Sequence, residues 1–322
     1  MYKPFQKILF IWLCFSLGYL SHPLVLLAKE AKFIPPEGKI LFLIGQNQES
    51  IKGYISAAKA VPAGMMVYTS LQRAEGLDSP AEYGSGVQHA QYLLRAYPHS
   101  VIQIGLYMVG AALFVSQGTY DETIKILADW CKRAKRPIFL RIGYEFDFAD
   151  NRYGPREYIQ AFRYIVDFFN REGVTNVAYV WHSAGASAAP MHWYPGDEYV
   201  DWFGISFFHL SNLNNMKNFA QYAREHHKPL MIAEATPYAV GTRNGERSWQ
   251  EWFAHFFNFI QEENVRAVCY INCNWDELKM FKGQGWGDSR IQDNEFIKNN
   301  WFKKLSEINC LMASPDLFDL LK

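Results

Sequence analysis

The feature that most constrains this chain is an alternation. From residue 38 onward, short runs of apolar, β-branched or aromatic residues are each followed by a longer segment with apolar residues at helical spacing. The predicted strands are Ile40–Gly45, Met65–Thr69, Val101–Tyr107, Pro137–Ile142, Asn176–Trp181, Trp202–Phe207, Leu230–Ala233 and Ala267–Ile271. Between them, 155–171 places Tyr158, Ala161, Phe162, Ile165, Phe168 and Phe169 on one helical face. The stretch 249–261 repeats the pattern with Trp252, Phe253, Phe256, Phe257 and Ile260, and 121–133 and 215–226 are predicted helices too. Strands alternating with helices pair in parallel through crossovers, which is the α/β class. Eight such units in roughly 280 residues fit a closed (β/α)8 TIM barrel better than an open doubly wound sheet. The first strand leads into Ile44-Gly45-Gln46-Asn47-Gln48, whose single glycine is no dinucleotide fingerprint. No linker or charge run divides the chain, so one domain spanning 36–310 is expected.

Composition narrows the function. Hydrophobic residues make up 49% of 322, enough for a large core, and 20% are charged, which is not a disordered composition. Lys plus Arg equals Asp plus Glu at 32 each, so nothing electrostatic calls for nucleic acid or an anionic membrane surface. No cofactor motif is present, and a monomer is expected. Aromatic residues reach 16%, with 10 Trp and 19 Tyr, which suits both a core and a cleft that stacks on sugar rings. The first 28 residues differ from the rest: Lys3 and Lys7 precede the apolar run from Ile8 to Leu20, and a second run, from Leu24, ends at Ala28. These are the parts of a secretory signal; an uncleaved anchor is the alternative, disfavoured because Ser21-His22-Pro23 interrupts the continuous run of about 20 residues that a membrane helix needs. An exported protein, periplasmic or extracellular, follows as an expectation. Cys269 and Cys273 lie on one predicted strand, about 13 Å apart, too far to bridge. Buried free thiols are the default for these and for Cys131 and Cys310.

In such barrels the chemistry gathers at the carboxyl ends of the strands. The fourth run ends Arg141-Ile-Gly-Tyr144-Glu145, and strand alternation would point Arg141, Gly143 and Glu145 to one side. An Arg and a Glu inside a barrel are costly unless paired or used. A structural ion pair is therefore the plain alternative. The seventh run ends Leu230-Met-Ile-Ala233-Glu234. Two carboxylates facing one mouth suit glycoside cleavage, where one protonates the leaving oxygen and the other attacks or activates water. A retaining pair would stand about 5–5.5 Å apart.

At this point the residues resemble a family. Arg141-x-x-x-Glu145 and the strand-seven Glu234 look like those of clan A glycoside hydrolases, and most like family 26, the endo-β-mannanase family. The segments Asn176-Val-Ala-Tyr-Val-Trp181-His-Ser, Tyr194-Pro-Gly-Asp197-Glu-Tyr199-Val-Asp201-Trp-Phe-Gly204 and Pro229-Leu-Met-Ile-Ala-Glu234 resemble it too. The likeness runs from about residue 137 to 235. It implies Glu145 as acid/base, Glu234 as nucleophile and Arg141 as support for the nucleophile's charge. The sequence departs from the family twice. Tyr144 stands where His usually precedes the acid/base. Strand six ends Ser206-Phe207-Phe208-His209 where a Tyr usually contacts the nucleophile; Phe donates no hydrogen bond, so His209 or Tyr238 would have to fill in.

Trp275 after strand eight, Trp181 and His182 at the end of strand five, and the loop residues Trp193 and Trp286 are further candidates for binding sugar, each against a packing role. Asp147, Asp150 and Asn151 read as solvated turn residues rather than a calcium loop. The histidines lack metal-ligand spacing, and Ser183 and Ser206 lack a GxSxG setting, which disfavours a deacetylase or an esterase. The leading expectation is an exported retaining hydrolase of a β-linked polysaccharide, mannan-like or an exopolysaccharide. The competing one is a catalytically silent barrel that binds or helps to process such a polymer.

Overall fold

A computed structural model describes residues 30–322, so the predicted export segment lies outside the described residues. Eight parallel strands close on themselves: β1 Ile40–Gly45, β2 Gly64–Ser70, β3 Val101–Tyr107, β4 Ile138–Ile142, β5 Val177–Ser183, β6 Trp202–Phe207, β7 Leu230–Ala235 and β8 Ala267–Ile271. Each pairs with the next, and β8 returns to β1 in the register Leu43↔Cys269. Closure leaves the barrel no free edge. The chain is thus the (β/α)8 barrel that the alternation predicts.

The connections are α1 Gln48–Ala58, α2 Ala90–Ala96, α3 Asp121–Ala134, α4 Pro155–Arg171, α5 Leu213–Glu225, α6 Ala254–Glu262 and, after β8, α7 Glu295–Glu307, of which α3 to α6 fall on the four predicted segments. Local chemistry starts several of them. Asn47 caps α1 by accepting from the Ser50 N–H at 2.9 Å, and α4 opens on Pro155, whose missing N–H costs nothing there. Two departures from the prediction stand out. Residues 249–253 form a π-helical turn leading into α6, and the link from β5 to β6 carries only a 3-10 turn, Pro190–Trp193.

Strand alternation splits the core in two. Leu41, Leu43, Met66, Phe139, Val180 and Cys269 fill the barrel, whereas Phe42, Ile44, Val67, Leu140 and Tyr270 face the helices. In the outer layer Trp301 of α7 is fully buried against Phe42, Phe256 and Tyr270. Each such apolar side chain contributes about 1.5–3 kcal/mol on burial. Cys131, Cys269, Cys273 and Cys310 are free thiols. Among the described residues no helix is long and apolar enough to cross a membrane.

Candidate active site

Near the carboxyl ends of the strands the apolar filling of the barrel gives way to polar groups. Above them opens a cleft of about 840 Å³. Tyr144, Glu145 and Glu234 line it, with aromatic walls that include Tyr107, Phe208, Trp275, Phe281 and Trp286.

Glu145 does not arrive there by simple alternation. β4 ends at Ile142, and both Gly143 (φ 55°) and Glu145 (φ 53°) adopt left-handed backbone, which glycine takes freely and glutamate does not. Neighbours hold the turn. The Asn151 amide donates to the Glu145 carbonyl at 2.9 Å, and the Phe146 N–H donates to the His182 carbonyl at 3.1 Å. Asp147 accepts from the Ser183 hydroxyl and from the N–H groups of Ala184, Ala186 and Ser187 at 2.7–3.0 Å, tying the turn to the loop after β5. Asp147 and Asn151 are therefore structural anchors rather than the solvated turn residues expected.

Glu234 reaches the cleft by a different device. β7 carries one residue more than its neighbours: Ile232 pairs with Ile205 but Glu234 with Ser206, and on the other side Ile232 pairs with Val268 but Ala235 with Tyr270. The extra residue is a β-bulge, which re-aims the side chains beside it. Ala233 packs inside the barrel, and an unbulged strand would turn the next residue outward; here Glu234 also faces in. Gln103 of β3 donates to the Ala233 carbonyl from across the barrel at 2.8 Å.

Beneath the cleft a directional relay links the two carboxylates. Arg141, fully buried, pairs with Glu234 and also donates to His182 Nδ1 at 3.2 Å. His182 Nε2 stands 3.0 Å from Ser206 Oγ, which donates to Glu145 Oε1 at 2.7 Å. Burial, and then the Arg141 charge, hold the His182 imidazole well below its usual range, so it is neutral. With Arg141 donating to Nδ1, the proton of His182 sits on Nε2, and the bonds from Arg141 through His182 and Ser206 all point toward Glu145, while Arg141 also donates to Glu234. The Arg141 guanidinium lies beside two neighbouring rings, 5.1 Å from the centroid of Tyr68 and 5.2 Å from that of Tyr144.

The surroundings set the two acids apart. Loss of hydration and then the Glu234 charge push the Glu145 carboxyl up to about 8, with Ser206 and Arg141 opposing. Glu234 instead sits against a permanent cation. Glu145 is thereby kept protonated at neutral pH, on the same cleft as Glu234 with its Arg141 partner.

The other sequence candidates divide. His209, Trp275 and Trp286 line the cleft with Tyr144, and Trp275 is fixed by its Nε1–H on Thr236 Oγ1 at 2.9 Å. Arg141 and His182 lie under the carboxylates, not in the cleft. Tyr238 stands behind His209 and Trp286, with ring centroids at 4.1 and 4.8 Å. Trp181 is a correction: it points outward from β5, fully buried and stacked on Phe146 at 4.5 Å. Trp193 is another, because it packs on Phe146 and donates to the Tyr153 carbonyl at 2.8 Å, away from the cleft. The Tyr194–Asp201 segment is likewise structural: Asp201 accepts from the Tyr179 N–H at 2.8 Å and Asp197 pairs with His226. Sequence reasoning passed over Gln103 and weighed Ser206 only as an esterase nucleophile, although its inward parity on β6 was a signal.

Comparisons with known proteins bear on the family and the fold. The sequence profile described as glycosyl hydrolase family 26 matches residues 124–268. A β-1,3-xylanase from an Alcaligenes species is 32% identical over 321 residues, covering 90% of this chain and 68% of that protein. A β-1,3-xylanase from a Vibrio species is also 32% identical, covering 90% of this chain and 70% of that protein. Among solved structures, a family 26 β-mannanase from Bacteroides ovatus superimposes with a TM-score of 0.64 at 14% identity, covering 89% of this chain and 93% of that one. An endo-β-1,4-mannanase from Cellulomonas fimi gives 0.62 at 15% identity, covering 87% and 74%. At these identities the two structures speak for the fold alone. The profile and the relatives that match most of its length show that the chain belongs to glycosyl hydrolase family 26 and is a glycoside hydrolase.

Proposed function

We propose that this enzyme is exported and hydrolyses β-1,3-linked xylan with retention of configuration, Glu234 acting as nucleophile and Glu145 as acid/base. The observation that carries the mechanism is the electrostatic contrast between two carboxyls on one cleft, joined by the Arg141–His182–Ser206 relay. The two relatives named β-1,3-xylanases support the linkage and the sugar. The export segment predicted from the sequence fits a polymer met outside the cell.

In the first step the Glu234 carboxylate attacks the anomeric carbon while the Glu145 proton passes to the departing glycosidic oxygen. Ser206 already donates to Oε1, so the proton that Glu145 gives up sits on Oε2. The covalent glycosyl ester removes the Glu234 charge, one of the causes that raise Glu145. Glu145 then ionises more readily, takes a proton from water as that water attacks, and Glu234 leaves as a carboxylate. The silent-barrel alternative drew its weight from the missing strand-six Tyr; Glu234 nevertheless keeps a buried cation as partner.

The test is hydrolysis of β-1,3-xylan beside β-1,4-xylan, β-mannan, β-glucan and exopolysaccharide, with the first-formed anomer read by NMR. New reducing ends from β-1,3-xylan, appearing first as the β-anomer, are expected, with a loss of about 10⁴-fold or more in Glu234→Gln. A first-formed α-anomer would overturn the retaining mechanism. Cleavage of β-mannan alone would overturn the substrate, and folded protein that retains a polymer without cutting it would favour the binding barrel.

A further inference from the structure

The two carboxylates stand at the ends of β4 and β7 and flank the bond to be cut. A sugar chain that passes between them therefore runs from the β5 and β6 side of the barrel to the β1 and β2 side. The two ends of this track are built differently. Toward β5 and β6 the lining is low: Ala184, Ala186 and Asn212, with Phe148 44% exposed.

Toward β1 and β2 two loops meet. The loop after β2 carries a short hairpin, Ala81–Glu82 on Val87–Gln88, with Tyr83, Gly84 and Ser85 in its tip. The loop after β8 folds back on itself, closed by the Trp275 N–H on the Gly287 carbonyl at 3.1 Å. From its far point the Met280 N–H donates to the Gly84 carbonyl at 2.9 Å. In the barrel β1 lies between β8 and β2, so this bond carries the chain across the end of β1. Tyr83, Ser85, Met280 and Phe281 line the cleft from the bridge.

The bridge is close-fitting and anchored. Gly84 has φ 87°, and a Cβ on it would stand 3.2 Å from the Met280 Cβ. Glu82 Oε1 accepts from the Gly84 and Gly86 N–H groups at 2.6 and 3.0 Å. From below, the Asn47 amide donates to the Ser85 carbonyl at 3.0 Å. Gln46, next to Asn47, lines the cleft yet is only 3% exposed. Its amide nitrogen has no hydrogen-bond partner among the described residues, and a buried donor of that kind calls for one.

We propose that this bridge closes one end of the sugar track, so that the enzyme cuts a fixed number of sugars from one terminus of its substrate rather than at random within it. The terminal sugar abuts the bridge, where the Gln46 amide, turned to the cleft, donates to one of its hydroxyls. The rest of the polymer leaves over Ala184 and Ala186. The inference rests on the reading that Glu145 and Glu234 flank the scissile bond, but not on which sugar is cut, so the experiment uses two sugars.

Ladders of β-1,3-xylo- and β-1,4-manno-oligosaccharides, each carrying 18O at the reducing end, are digested by the full chain, and the early products are sized by mass spectrometry. On whichever ladder is cut, one bond should be preferred by about tenfold or more, at the same distance from the same terminus at every length. In Met280→Gly, which removes a side chain from the closed end, and in Gly84→Val, which forces the two loops apart, the cuts should spread over several bonds. A melting curve within a few degrees of the parent checks each fold. Cuts spread evenly along the longer oligosaccharides by the parent, or the parental pattern kept by both folded variants, would overturn the closed end. Cleavage of the manno ladder alone, at a constant distance from one terminus, would overturn the β-1,3-xylan reading and leave this inference standing. No cleavage of either ladder would overturn both.

Discussion

Glu145 and Glu234 face one cleft but are delivered and tuned by opposite means. Glu145 rides on a left-handed turn beyond the end of its strand, held by Asn151 and Asp147, and its hydroxyl partner is neutral. Glu234 stays within its strand, turned inward by a bulge, and is met by a buried cation. The first setting favours a protonated carboxyl; the second sets a guanidinium against its carboxyl. The difference teaches that environment, rather than residue type, divides the labour between two identical side chains.

The largest test of that comparison is to remove each carboxylate and supply an external one. Glu234→Gly should lose about 10⁴-fold or more in turnover and regain part of it with azide as the α-glycosyl azide. Glu145→Gly, on a substrate with an activated leaving group, should instead give the β-glycosyl azide. Azide products of reversed configuration would exchange the two roles. A middle-sized effect is expected from Gln103→Leu, which releases the bulge from its anchor. It should cost roughly 1–2 kcal/mol of stability and slow turnover about tenfold, while the alkaline limb of the pH–rate profile stays in place. A shifted limb would mean that the bulge serves Glu145 as well.

The smallest effect concerns that limb itself. Glu145 must be protonated to act as the acid, so activity should fall as pH rises through about 8. Ser206 donates to the ionised carboxylate and thereby favours it. Ser206→Ala should move the limb to higher pH by up to about one unit, with little change in rate at pH 6. A limb that moved downward would break the assignment of Glu145.

Much of this was legible in the residues, for identifiable reasons. Val101–Tyr107 and Pro155–Arg171 match their predicted bounds because strong apolar runs and an amphipathic stripe begin and end sharply. The two glutamates showed because a charge ending an apolar strand is conspicuous. Trp181 was misplaced because both faces of β5 are apolar, which hides the alternation that separates it from His182. The bulge in Leu-Met-Ile-Ala-Glu-Ala leaves no Gly or Pro as a sign. Asp147 read as solvated because its partners lie in a different loop.

The relay also ends in a particular way. Its inner terminus is a guanidinium, which neither surrenders nor accepts a proton under working conditions. On the barrel side Glu145 therefore faces a blind alley for proton traffic, and its exchange runs through the cleft. On the proposed roles, the proton that Glu145 lends to the leaving half of a polysaccharide filling that cleft would be recovered from the incoming water, with none needed from the bulk.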